Sequence, residues 1–132
     1  MFHPRMQDFD DRMKEMFDEI DDRLEEQFGN RYALHPNRPP RGATANKAAD
    51  GLFNLGAQFS PGYASDLGRG YIVDMDIATL ENIQPKEREE LLLLTVDLVR
   101  KNLPVFFPER DLTCERDGNL FKILGNFSLG AF

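Results

Sequence analysis

The chain has 132 residues, with 23 acids against 16 bases and a formal net charge of −7. That balance argues against nucleic acid or an anionic membrane as the main partner, and no apolar run reaches the length of a membrane span. A chain this short supports one domain with an appended arm, and only a modest core.

Residues 4–28 carry the first helical pattern. Met6, Phe9, Met13, Met16 and Ile20 recur at steps of three and four, a heptad seam, and Leu24 and Phe28 continue it by steps of four past Arg23. Phe17 lies beside the seam, and Gly29 follows as a helix stop. A seam of Met and Phe is soft and adaptable. It suits either docking on its own domain or an intermolecular coiled coil or bundle. Ten acids against four bases in residues 1–28 give way to four bases and no acid in residues 29–49 (Arg31, Arg38, Arg41, Lys47). The expectation is a solvated segment whose bases lie against the acidic helix of the same or a neighbouring molecule, rather than a phosphate-contacting arm. Pro36, Pro39 and Pro40 make residues 30–50 a Pro-rich linker. His3 and His35 show no metal-ligand spacing.

The remaining chain, residues 51–132, reads as a small α+β domain. Residues 51–60 place Phe53, Leu55, Ala57 and Phe59 at period two, a strand weakened by Gly56. A glycine-rich loop over 61–70 follows. Residues 71–80 alternate better, with Tyr71, Val73, Met75 and Ile77 expected toward the core and Asp74 and Asp76 away from it. Residues 85–103 hold the full set of helix signals: Pro85 at the first position, Glu87, Glu89 and Glu90 in the first turns, Arg100 and Lys101 at the end, and Pro104 as the stop. Its apolar residues form two stripes, Leu92, Val96, Val99, Leu103 and Leu91, Leu94, Leu98, an arc too wide for one partner. One side should cover a sheet. The other should meet the N-terminal helix or another copy of the chain. Asp117-Gly118 then predicts a hairpin turn that pairs Cys114 with Phe121 and Leu112 with Ile123, with Phe127 and Leu129 available to extend the last strand. Cys114, the one cysteine, falls on the inner face as a small hydrophobe, and no internal disulfide is available. The architecture is (β)βαββ, a mainly antiparallel sheet with one packed helix, preceded by the amphipathic helix of residues 1–29 and the linker of 30–50.

Three constellations have chemical potential, and each has a plainer reading. Asp74 and Asp76, at i and i+2 of a strand, project from one face about 7 Å apart. They are the only candidate Mg²⁺ ligands, but an exposed sheet face explains them as well. The loop with Arg69 lacks GxGxxG or GKS and precedes a strand, so its glycines read as turn residues. No serine or cysteine has a nucleophile context. The expectation is therefore a non-catalytic cytoplasmic protein, without cofactor, that acts by self-association or by binding a protein partner. The N-terminus (MFHPRMQDFDDR) shows acids where a signal peptide needs an apolar stretch. The expected interface is Met6, Phe9, Met13, Met16, Phe17, Ile20, Leu24, Phe28, Leu91, Leu94 and Leu98. The alternative is a small ligand-binding or Mg²⁺-dependent enzyme domain using Asp74, Asp76 and the loop with Arg69.

Overall fold

The computed structural model describes residues 4–61 and 70–125, with side chains from Asp8 onward. Met6 (as a side chain), Arg69, Phe127 and Leu129 therefore lie outside the described residues. Helix α1 (Pro4–Phe28) leads to a single 3-10 turn (Lys47–Ala49), then strands β1 (Phe53–Ser60) and β2 (Gly70–Ile77), helix α2 (Pro85–Phe106), and strands β3 (Thr113–Asp117) and β4 (Leu120–Leu124). The four strands form one sheet in the order β1-β2-β4-β3. Every pairing is antiparallel. The fold is α+β.

Both helices lie on the same face of the sheet. Register sets that face: Phe53 opposes Ile77, Leu55 opposes Met75 and Ala57 opposes Val73, while Tyr71 opposes Ile123 and Cys114 opposes Ile123. These side chains point one way because opposed residues of an antiparallel pair share a face. Most of them, with Phe9, Met13, Met16, Phe17, Ile20 and Leu24 of α1 and Leu91, Val96, Val99 and Leu103 of α2, make a single buried cluster. Helix α1 packs on both α2 and β1, and α2 packs on β2 and β3. The sequence boundaries at 29/30 and 50/51 mark changes of local structure, but the apolar residues on either side of them share this one core.

Two local expectations are corrected. Pro104 does not end α2, which runs to Phe106. A proline near the end of a helix removes one backbone bond. That loss is offset here by burial of Leu103 and Phe107, and the Phe107 N–H still closes on the Leu103 carbonyl at 2.8 Å. In the hairpin the turn residues are Gly118-Asn119, so Cys114 opposes Ile123, not Phe121. Gly118 sits at φ 62°, the left-handed region that the first central residue of a Gly-X turn requires. The slip moves the pairing by an even number of residues, so each side chain stays on its expected face. Cys114 is accordingly buried.

Candidate functional site

The expected interface residues of α1 are occupied within the chain. Phe9, Met13, Met16, Phe17, Ile20 and Leu24 are buried and Phe28 is half-buried against the same cluster. The contacts that an exchanged helix would make in a neighbour are made here in one molecule. Aromatic and ionic contacts tie the start of α1 to the end of α2. The Phe9 ring stands 5.0 Å from Phe107 and 5.6 Å from Tyr71. Arg12 donates to Asp8 and to the Phe106 carbonyl, and pairs with Glu109.

Residues 38–50 are tied to the body of the fold by side-chain bonds. Arg38 donates to the backbone carbonyls of Ala48 (2.7 Å), Gly51 (3.0 Å), Asp50 and Phe53 (both 3.2 Å). Arg41 reaches Asp22 at 2.6 Å and Asp21 and Asp50 at 3.3 Å, and Lys47 also pairs with Asp22. Arg41 and Lys47 thus lie against the acidic helix of the same molecule, whereas Arg38 bonds backbone carbonyls and Arg31 pairs with Glu87 of α2 at 3.8 Å. Glu25 of α1 accepts from the Phe53 N–H at 2.7 Å. Its carboxylate fills the space beside Gly51, where a Cβ would stand 2.5 Å from Oε1 and φ is +76°, so only glycine fits.

This cluster contains the least accommodated charge among the described residues. Asp21 is 1% exposed, and its Oδ2 has no hydrogen-bond partner. Burial pushes its carboxyl up to about 7, against the pull of Arg41 and with the help of Glu25, Asp22 and Asp18. Asp50 is equally buried, but there the Thr44 N–H and hydroxyl, Arg41 and the Gly42 N–H outweigh burial and hold it below the usual range. Asp22 behaves likewise: Lys47 and Arg41 overcome its desolvation. Asp21, Asp22 and Asp50, with Glu25 adjoining, set more carboxyl groups together than Arg41 and Lys47 can neutralise, and a proton on Asp21 reduces that excess. A cavity of about 670 Å³ adjoins it, between Glu25, Glu26, Tyr32, Leu34 and Arg41. Sequence pattern did not single out Asp21, because a charged residue on a charged helix carries no mark of burial.

The chemical candidates are not drawn together. Asp74 and Asp76 are both exposed, on the sheet face opposite the helices. The nearby bases find other acids: Lys122 pairs with Asp117 at 2.9 Å and Arg116 with Glu89 at 3.3 Å. Among the described residues no group of three or more His, Cys, Asp or Glu is arranged to hold a metal ion, and no helix is long and apolar enough to cross a membrane. Burial raises the Cys114 thiol to about 11, which leaves it unreactive at neutral pH.

The outer side of α2 is different. Glu87, Leu91, Leu94, Leu98, Lys101 and Val105 recur at steps of four, three, four, three and four, a heptad seam along one side of the helix. Leu91 lies at its inner border and is buried, and Leu98 is half-buried. Leu94 and Val105 stand out, 42% and 69% exposed. The core uses the helix face centred on Val96, Val99 and Leu103 and fills an unexpected position there with Thr95, whose hydroxyl donates to the Leu91 carbonyl at 2.8 Å. The wide apolar arc is thus divided among the sheet, α1 and an outward seam.

A protein-family model described as "Uncharacterised protein" matches residues 4–125. An "Uncharacterized protein" of Borreliella burgdorferi is 39% identical to the chain over 109 residues, which cover 83% of this chain and 85% of the relative. No solved structure matches it. A family match spanning both helices, all four strands and the segment tied by Arg38 and Arg41 takes in the entire described fold, and the chain belongs to that family.

Proposed function

We propose that the protein acts without catalysis, as a self-associating module, and that two copies pair through the outward seam of α2. The observation that carries this is the outward stripe of exposed Leu94 and Val105 with half-buried Leu98 between them, on a helix whose Val96, Val99 and Leu103 face is already covered. Its ends supply charge complementarity. Glu87 and Glu90 lie toward the start of the seam and Lys101 toward its end. An antiparallel, two-fold pairing centred between Leu94 and Leu98 brings Leu94 of one copy against Leu98 of the other, sets Lys101 opposite Leu91 and next to Glu90, and lays Val105 along the stem of Glu87. Among the described residues Lys101 pairs with Asp97 alone, an exposed i,i+4 pair at 2.9 Å, and such pairs are weak enough to rearrange.

Exchange of α1 would be a different route to a dimer. The attachment of residues 38–50 to α1 through Arg41 and Lys47 favours keeping that helix at home. A cytoplasmic setting agrees with a free, buried Cys114. The magnitudes imply a weak dimer. A fully buried large apolar side chain stabilises by about 1.5–3 kcal/mol, the exposed seam residues are few, and association itself costs about 4 kcal/mol or more. Dissociation in the micromolar range is expected.

The test is sedimentation velocity on the intact chain and on Leu94→Glu combined with Val105→Glu. Both positions are exposed, so the variant keeps the fold. Loss of the heavier species in the variant is the expected result. A variant that sediments like the intact dimer would place the contact elsewhere.

A further inference from the structure

We infer that the free edge of β1 is a strand-addition site for an extended segment of a partner protein that carries basic side chains on either side of a small apolar one. The site is distinct from the seam of α2. Strand β1 is an outer strand of the sheet, so among the described residues one side of its backbone has no sheet neighbour. Which residues face that side follows from the ladder. The Ala78 N–H donates to the Leu52 carbonyl at 2.7 Å, so even-numbered residues of this register bond toward β2 and odd-numbered ones point outward. Phe53 confirms the parity. Its N–H is taken by Glu25 at 2.7 Å and its carbonyl by Arg38 at 3.2 Å, both from outside the sheet.

Beyond Phe53 this protection stops. Leu55, Ala57 and Phe59 direct their N–H and C=O groups to the same edge, and no hydrogen bond from a described residue caps them. Long edge strands are commonly blunted by charge, proline or a bulge. FNLGAQFS has no charged residue, no proline and an unbroken register. An open row of this kind is the template that β-augmentation uses.

The surroundings say what kind of strand fits. Between this edge, the 3-10 turn at Ala48 and α1 lies a cavity of about 330 Å³ with Met13, Phe17, Ala48, Leu55, Ala57 and Tyr71 on its walls, so the turn borders the start of the open edge. Its polar border is Asp10, Lys14 and Asp18 of α1. Lys14 is already paired with Asp18 at 3.4 Å and reaches Asn46 at 3.2 Å. The helix above carries ten acids and four bases over residues 1–28. On the helix side of an added strand, one modest apolar side chain would enter the cavity, and its neighbours two residues away would lie under that acidic helix. A second copy pairing edge to edge would bring two such acidic helices together on one face of the joined sheet, which charge repulsion opposes.

The probe is the capped peptide acetyl-Thr-Lys-Thr-Val-Thr-Lys-Thr-amide, titrated into the intact chain and followed by amide shifts. The expected result is saturable shifts centred on Leu55, Ala57 and Phe59. Methylation of the Val amide nitrogen of the peptide should weaken binding at least tenfold while leaving the protein untouched. Ala57→Pro should do the same, since proline on an edge strand removes only the outward N–H, and Asp10→Asn with Asp18→Asn should reduce the salt dependence. No binding at millimolar peptide, equal binding of the methylated peptide, or shifts located elsewhere would overturn the proposal. So would an edge occupied by a second copy, seen as a dimer that Ala57→Pro dissociates.

Discussion

Asp21 illustrates how a single side chain can be placed by its neighbours against its own preference. It lies on the charged helix α1 yet is 1% exposed, with Oδ2 unpartnered. A carboxyl raised to about 7 in the folded state binds a proton that the unfolded chain releases near its ordinary 3.8. It therefore contributes stability that is complete below about pH 4 and lost as pH rises to about 7, with a slope approaching 1.4 kcal/mol per pH unit. Asp22 and Asp50 are shifted down, so their contribution is lost only in acid and leaves the window between pH 5 and 7 to Asp21. Asp21→Asn should flatten the fall in melting temperature between pH 5 and 7 and raise stability at pH 8. An unchanged pH profile would mean that Asp21 is ionised throughout. Cys114 offers a companion test: a thiol reagent should label it slowly in the native protein and quickly in denaturant, given its burial. The cysteine was legible in the sequence because the parity of a strand is. The aspartate was not, because its burial comes from a segment twenty or more residues away.

At the level of elements, periodicity carried most of the information. The Met/Phe seam locates α1 at Pro4–Phe28, and the alternation of β2 sorts Val73 and Ile77 inward and Asp74 and Asp76 outward. What periodicity missed was held by backbone chemistry. Pro104 is tolerated because buried side chains on both sides of it outweigh one absent hydrogen bond. The hairpin register depended on whether the positive φ was placed at the first or second turn residue. Residues 30–50 read as a linker because their prolines exclude helix and strand. Arg38, however, binds four carbonyls and Arg41 three carboxylates, and neither bond set leaves a repeating pattern. Arg41→Ala should therefore cost about 3 kcal/mol, the penalty for leaving the buried Asp50 without its cation, read as a drop in the urea midpoint. A change below about 0.5 kcal/mol, usual for surface positions, would show that the cluster is solvated and the segment merely lies nearby.

For the whole molecule, the central point is where apolar surface is left over. One core accounts for α1, the inner face of the sheet and the inner face of α2. The outer seam of α2 was visible in the sequence as Leu91, Leu94 and Leu98, half of an arc too wide for a single partner. Its separation from the α1 seam became clear only when α1 was seen to fill the other half. In a chain of net charge −7, self-association has to overcome repulsion, and salt screens that repulsion together with the exposed Glu90–Lys101 contact, leaving the apolar stripe to hold the pair. Light scattering on the unmodified chain, from low to high micromolar concentration at moderate salt, is the most direct measurement. The predicted result is a mass that rises from one chain toward two. A mass of one chain at every concentration would contradict the account.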